Sequence, residues 1–395
     1  MVQRMIVRGI AALGFLGASL TSSGSLLAEP APPPTQAEAE RLELYKKPNE
    51  WFEQRLQNPP EMIDGNRLHP KIQYYQEQRG RKEEAISAMN AWWDQFQIPQ
   101  QRHDARRAVD RTWTYRTKIT EAMAKVEDRK IRGPAGELNI RIYTPKTDRR
   151  GPLPVLVYYH GGGWIMGSLE AADRATRLIA NEGDVIVVSA DYRMSPEVKL
   201  PEPQKDAQAV FQWTQANAGS FGGDPSRVGV GGDSAGGQMA MVTSLKQWED
   251  GKIVPAYQLL YYPVTDLNYS YSSFDKFSKG YGLDKHFADK MLELALAQGA
   301  DLNNPHLSPI RARDLSGMPP TIVVTAGYDI LRDQGRALAD RLKAEGVPVI
   351  YRNYGSLTHG FMQHSGTIDD AETACVETAQ LIGTGLRGHY RGAWY

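Results

Sequence analysis

Six nearly unbroken apolar runs constrain this chain more than any other feature: LPVLVYYH (153–160), DVIVVSAD (184–191), RVGVGGD (227–233), AYQLLYYP (256–263), TIVVTAG (321–327) and VPVIYRN (347–353). Runs this short and this apolar suit strands covered on both faces, and most are separated by segments of helical character. Strands alternating with helices build a mostly parallel sheet, because each crossover helix lies on one face or the other. Ahead of them, KVEDRKIRG (125–133) and LNIRIYTP (138–145) alternate like an antiparallel pair joined through Pro134-Ala135-Gly136. The expected fold class is therefore α/β, a mostly parallel eight-stranded sheet with helices on both faces and a helical cap. No internal repeat is visible. With 395 residues and 41% hydrophobic content the chain can bury a large core.

Other classes are excluded by charge and cysteine usage. The 46 basic and 46 acidic residues cancel, leaving no field that would draw nucleic acid or an anionic membrane, and a small neutral partner fits better. Cys375, the sole cysteine, rules out an intramolecular disulfide and a multi-cysteine metal cage.

Texture divides the chain further. Arg4 and Arg8 precede an uncharged stretch whose apolar centre, Ile10 to Leu20, is short for a membrane span and right for a signal peptide. The small residues after it place cleavage behind Gly24 or Ala28, so residues 1–28 are expected to be removed on export to the periplasm or outside, leaving no stable membrane span. Residues 29–40 read as a Pro-rich disordered linker, and 41–123 as an N-terminal helical cap region: AEAERLELYKK stopped by Pro48, RKEEAISAMNAWWDQF (81–96) and ARRAVDRTWTYRTKITEAMAK (105–125). Residues 124–395 form the sheet domain. Within it, 265–305 show no strong strand but a helical KHFADKMLELALAQ, an insertion expected over the strand ends, where ligands of open α/β sheets bind.

The chemistry starts at VGVGGDSAGGQMA (228–240), where β-branched residues give way to helix formers with Ser234 at the bend. Gly232-Asp233-Ser234-Ala235-Gly236 matches the G-x-S-x-G nucleophile elbow, whose glycines allow close backbone approach while the serine projects its hydroxyl. A hydroxyl is a weak nucleophile until a base takes its proton and a carboxylate orients that base. Of the downstream histidines 286, 306, 359, 364 and 389, His359 is the best placed, in the loop YGSLTHGF after the last strand run. Asp329 follows TIVVTAGY at a strand's carboxyl end, whereas Asp333 suits a charge at a helix N-terminus. For the oxyanion, His160-Gly161-Gly162-Gly163-Trp164 ends a strand with unobstructed N–H groups, and Ala235 N–H would supply the other half. His160 itself is read as an anchor for that loop.

Five motifs in order, His160-Gly-Gly-Gly-Trp164, Asp191-Tyr-Arg-Met-Ser-Pro-Glu197, Gly232-Asp-Ser-Ala-Gly236, Asp329-Ile-Leu-Arg-Asp333 and His359-Gly-Phe361, make the chain resemble the hormone-sensitive-lipase-like family of α/β-hydrolases, the bacterial family IV carboxylesterases, from about Lys125 to Leu386. The resemblance implies Ser234 as nucleophile, His359 as base and Asp329 as its orienter, with Gly162, Gly163 and Ala235 as oxyanion donors. It implies hydrolysis of short- to medium-chain acyl esters through an acyl-enzyme, with neither metal nor organic cofactor, and it allows a homodimer through the late strands. Two departures stand out: Ile330 where the family usually has proline, and a longer N-terminal region. An amidase would use the same triad. A binding protein on the same fold would be expected to have lost the histidine, which is present. Trp51, Phe52, Trp92, Trp93, Trp113 and Tyr115 are expected to pack the N-terminal addition onto the sheet, or to line an acyl or aryl pocket.

Overall fold

The computed structural model describes residues 31–78 and 91–388. The expected leader over 1–28, His389 and residues 81–90 lie outside the described residues, while 91–97 are helical. A small hairpin, β1 (Met62–Ile63) and β2 (Asn66–Arg67), precedes the main sheet. That sheet holds β3 (Lys125–Gly133), β4 (Gly136–Thr144), β5 (Leu153–Tyr159), β6 (Ile186–Asp191), β7 (Gly223–Asp233), β8 (Gln258–Tyr261), β9 (Thr321–Tyr328) and β10 (Val349–Thr358). Its spatial order is β10-β9-β8-β7-β5-β6-β4-β3. The pairs β3–β4 and β4–β6 are antiparallel and the rest parallel, so the mostly parallel eight-stranded sheet is what forms.

Alternation along β5 shows why the strands are apolar throughout. Val155, Val157 and Tyr159 join one core with Val210 and Phe211 of the helix Glu202–Asn217 and Met239 and Leu245 of the helix Ala235–Glu249. Leu156 and Tyr158 face the other core, with Leu178 and Ile179 of the helix Leu169–Gly183 and Ile382 of the helix Asp369–Leu386. Successive strand residues point to opposite faces, so a sheet covered twice has no position for a polar stripe. The helix Leu169–Gly183 shows how such a cover is specified. Ser168 Oγ caps it by accepting from Ala171 N–H at 3.1 Å, Ala175, Leu178 and Ile179 fall on one face, and Asp184 ends it in a left-handed conformation at φ 52°. Burying Leu178 and Ile179 contributes roughly 1.5–3 kcal/mol each.

The outermost strand, β3, carries Lys125, Glu127, Asp128, Arg129, Lys130 and Arg132, and is mostly exposed or half-buried. At the other edge, the β1–β2 segment packs against the end of β10, where His69 N–H donates to the Ser356 carbonyl at 3.0 Å.

Two expectations for the N-terminal layer need correction. The helix Gln36–Tyr45 begins inside the span 29–40 expected to be a disordered linker, because Thr35 and Glu38 form a reciprocal capping box. The helix expected over 105–125 instead spans Pro99–Arg116. Beyond it the backbone finds other partners: Arg116 carbonyl accepts from Gly366 N–H at 2.9 Å and Lys118 N–H donates to Ser365 Oγ at 3.2 Å. Arg106 fastens this helix to the sheet domain, donating to the Ile165 carbonyl at 2.8 Å, the Ser195 carbonyl at 2.8 Å and both oxygens of Glu197. Glu197 of DYRMSPE thus joins the N-terminal layer to the sheet domain. The 265–305 insertion carries the short helix Ser272–Lys276 and the helix Lys285–Ala295. Among the described residues no helix is long and apolar enough to cross a membrane.

Candidate active site

Ser234 stands between the end of β7 and the first residue of the helix Ala235–Glu249, at φ 55° and ψ −117°. A non-glycine residue there costs about 1–3 kcal/mol and persists only where its surroundings over-determine it. They do: Ser234 N–H donates to the Tyr261 carbonyl at 2.9 Å, and its own carbonyl accepts from Gln238 N–H at 3.1 Å and Val264 N–H at 3.2 Å. Close approach explains the flanking glycines. A Cβ on Gly236 would overlap the Tyr159 carbonyl, and one on Gly232 would overlap Gly236 itself.

Two hydrogen bonds join Ser234 to the expected partners. His359 Nε2 lies 3.0 Å from Ser234 Oγ, and His359 Nδ1 lies 2.9 Å from Asp329 Oδ2. A carboxylate only accepts, so Nδ1 carries the proton and Nε2 is left to receive one from the serine hydroxyl. Asp329 is buried at 1% exposure, and its other oxygen accepts from Leu331 N–H at 2.9 Å. Ser273 of the insertion donates to the Ile330 carbonyl at 2.8 Å, holding the loop in which isoleucine replaces proline. Asp333, set aside above, lies in the first turn of the helix Arg332–Ala344 and accepts from Ser273 N–H at 2.9 Å. The Tyr262 ring lies against the His359 imidazole, centroids 4.8 Å apart.

Asp233 and Gln238 hold the glycine loop against the elbow, and neither was singled out from the sequence. Asp233 Oδ1 accepts from Gly161 N–H at 2.8 Å and Tyr158 OH at 2.7 Å, and Oδ2 accepts from Gln363 Nε2 at 3.0 Å. Gln238 Oε1 accepts from Trp164 Nε1 at 3.3 Å, and its amide donates to the Leu307 carbonyl at 2.9 Å. Asp233 could have been found as the residue before the serine, since an acid at a buried strand end needs donors. His160 is the expected loop anchor: its Nδ1 lies 2.8 Å from the Gly161 carbonyl, and its ring stacks on Tyr192 at 4.3 Å. Burial holds its pKa below the ordinary value, against the Gly161 carbonyl and the charges of Asp191 and Asp233, so it stays neutral.

Gly162, Gly163 and Ser234 line one cleft of about 360 Å3 with His359. Gly162 (φ 112°) and Gly163 (φ 61°) adopt backbone that side chains disfavour, and a Cβ on Gly163 would overlap Met291 across the cleft. Ala235 opens the elbow helix, whose free N–H groups and dipole favour negative charge at its start. Such an arrangement can deprotonate a hydroxyl, direct it at a carbonyl and surround the resulting oxyanion with donors. The helix Lys285–Ala295 supplies Phe287 and Met291 to one wall, while Tyr45, Tyr75 and Trp113 come from the N-terminal layer. Of the six aromatics weighed above, Trp113 lines this cleft. Trp92 and Trp93 instead pack on Phe96 and Phe287, and Trp51 and Phe52 pack on Tyr74.

Comparison with known proteins agrees with this architecture. A family model described as alpha/beta hydrolase fold (Abhydrolase_3) matches residues 156–363. The carboxylic ester hydrolase LipN of Mycobacterium tuberculosis (strain ATCC 25618 / H37Rv) is 42% identical over 243 residues, 60% of this chain and 64% of LipN. The chain therefore spans just under two thirds of LipN's length. An arylesterase of Saccharolobus solfataricus is 37% identical over 258 residues, 62% of this chain and 83% of that protein. Among solved structures, the ester-hydrolase EH1AB1 from the metagenome of Lake Arreo, complexed with a derivative of bipyridine phosphonate, is 38% identical with a TM-score of 0.70, covering 76% of this chain and 97% of its own.

Proposed function

The chain belongs to the hormone-sensitive-lipase-like family of α/β-hydrolases, a family of carboxylic ester hydrolases, and from that premise we propose that it is a serine carboxylesterase acting on short- to medium-chain acyl esters. The observation that carries the reading is the hydrogen-bonded series Ser234–His359–Asp329 at the floor of a cleft. In this mechanism Ser234 Oγ attacks the ester carbonyl as His359 Nε2 takes its proton. Asp329 holds the imidazole in the right tautomer and stabilises its positive charge. The oxyanion is met by the N–H groups of Gly162, Gly163 and Ala235, donors fixed in place before charge develops. Collapse expels the alcohol, protonated by His359, and leaves an acyl-serine. Water, deprotonated by the same imidazole, then releases the acid. A cleft of about 360 Å3 is at the small end of ligand-sized cavities, which supports short and medium chains over long ones.

The test is a series of 4-nitrophenyl esters from acetate to palmitate, read alongside covalent labelling by a fluorophosphonate. The wild type is expected to turn over the shorter esters and take one label, and Ser234→Ala to do neither. Failure of a folded wild type on both counts would overturn the reading. Two further parts of the proposal rest on the sequence: export, from Arg4, Arg8 and the apolar run behind them, and a homodimer. The N-terminal mass of the protein recovered from its host tests the first, and its molecular mass in solution the second.

A further inference from the structure

The chemistry above uses the floor of the cleft, whereas its N-terminal wall carries positive charge that the reaction does not use. Arg41 of the helix Gln36–Tyr45, Tyr75 of the helix Pro70–Gln78 and Arg116 at the end of the helix Pro99–Arg116 line the same cavity as Ser234. Three separate elements thus bring two guanidinium side chains and a phenol to one wall. The Arg41 guanidinium lies 5.8 Å from the centre of the Tyr75 ring. The Tyr75 hydroxyl is shut off from solvent and has no hydrogen-bond partner among the described residues. A buried hydroxyl without a partner is a site waiting for an acceptor.

No described carboxylate fills that place. Asp233, the carboxylate lining the cleft, is engaged by Tyr158, Gly161 and Gln363. Glu38, one turn before Arg41, is taken up by Thr35, Arg111 and Thr112. Among the described residues Arg41 has no ion pair and keeps its charge directed at the Tyr75 ring. Burial raises the Tyr75 pKa, with help from Tyr45 and against the charges of Arg41 and Arg116, so the phenol remains a donor and both arginines are close enough to act on it.

Resting on the ester-hydrolase reading, we propose that the preferred substrate is an ester bearing a free carboxylate away from the scissile bond, held on the N-terminal wall by Arg41 and the Tyr75 hydroxyl. Guanidinium groups match the planar carboxylate with paired, charge-assisted hydrogen bonds, and the phenol donates a further one. The substrate class is a half-ester of a dicarboxylic acid, or an ester whose alcohol part carries a carboxylate. Hydrolysis then proceeds on the carbonyl beside Ser234, with the charged end fixing which of several bonds is presented.

Two matched pairs test this: 4-nitrophenyl hexanoate against 4-nitrophenyl hydrogen adipate, and methyl 4-acetoxybenzoate against 4-acetoxybenzoate. The anionic member of at least one pair is expected to have the higher kcat/KM. That preference should fall about tenfold in Arg41→Gln, invert in Arg41→Glu, and shrink in the wild type as salt rises. Tyr75→Phe should lower it several-fold, mainly through KM. In parallel, monomethyl adipate is titrated calorimetrically into Ser234→Ala and into the same variant carrying Arg41→Gln. Neutral esters preferred in both pairs, with binding indifferent to Arg41, would overturn the proposal while leaving ester hydrolysis intact. If no ester is turned over, the hydrolase reading fails, and the titration decides alone: carboxylate binding lost with Arg41 supports the subsite, and no binding to Ser234→Ala sinks it. The salt dependence of the unaltered protein keeps the question open to refutation should a variant not fold.

Discussion

Asp233 concentrates more structural consequence than any other residue outside the triad. It is 3% exposed and accepts from three donors: Tyr158 in β5, Gly161 in the glycine loop that follows, and Gln363 in the short turn after His359. Asp233→Ala leaves the buried Gly161 N–H without an acceptor and the Tyr158 hydroxyl with only the weak acceptor Met362 Sδ, and the lost partner of Gly161 alone costs about 1–3 kcal/mol. Urea unfolding should register that loss. The rate of phosphonate labelling at Ser234 should fall as well, since the glycine loop loses its fastening to the elbow. Gly236→Ala acts differently, by volume: its methyl group overlaps the Tyr159 carbonyl, so strand and helix must separate. A loss of roughly 3 kcal/mol is expected, read as a lower melting temperature together with loss of turnover.

Among the elements, the helix Pro99–Arg116 holds a titratable group with an opposite sense to most. Asp110 is buried, and burial raises its pKa from 3.8 to about 6, with Glu170 and Asp191 adding to the rise against the Ser168 hydrogen bond and the charge of Arg107. A raised carboxylate pKa means the folded state holds its proton longer than the unfolded one. Its contribution is present below about pH 3.8 and is lost as pH climbs through about 6. Asp110→Asn should flatten the fall in melting temperature over that window. The Gln36–Tyr45 helix depends on its cap, so Thr35→Ala should cost about 1 kcal/mol, measurable by thermal unfolding. These helices also mark where reading from sequence stopped. The sheet strands announced themselves because burial on both faces leaves unbroken apolar runs, and the elbow did because a tight bend demands Gly232 and Gly236. Ser234, His359 and Asp329, drawn from three loops, meet as the strand order requires. The capping box at Thr35 and Glu38 was equally present in the letters. The helix end at Arg116 was not, for it is decided by distant partners, Ser365 and Gly366, that no local propensity records. The partners of Asp233 and the charged wall were hidden for the same reason.

As a whole the molecule is a sheet whose strand ends are walled by two additions, the N-terminal helices and the 265–305 insertion. Arg106 clamps the first of these to Ile165, Ser195 and Glu197, beside the glycine loop. Arg106→Ala should therefore broaden acyl-length preference and lower the melting temperature together, whereas a change confined to one would show that wall and scaffold are independent. The open rim of the sheet has a different consequence. Among the described residues β3 has a strand neighbour on one side alone, and such a rim can template growth by the strands of other copies. Six charged side chains along β3, with Glu127 pairing Lys125 and Arg129 and with Lys130 pairing Glu137 of β4, make that register hostile to a second copy. Fibrils or amorphous precipitate on storage are thus least to be expected from this side, and replacing Lys130 and Arg132 with threonine would turn a guarded border into a nucleus for aggregation.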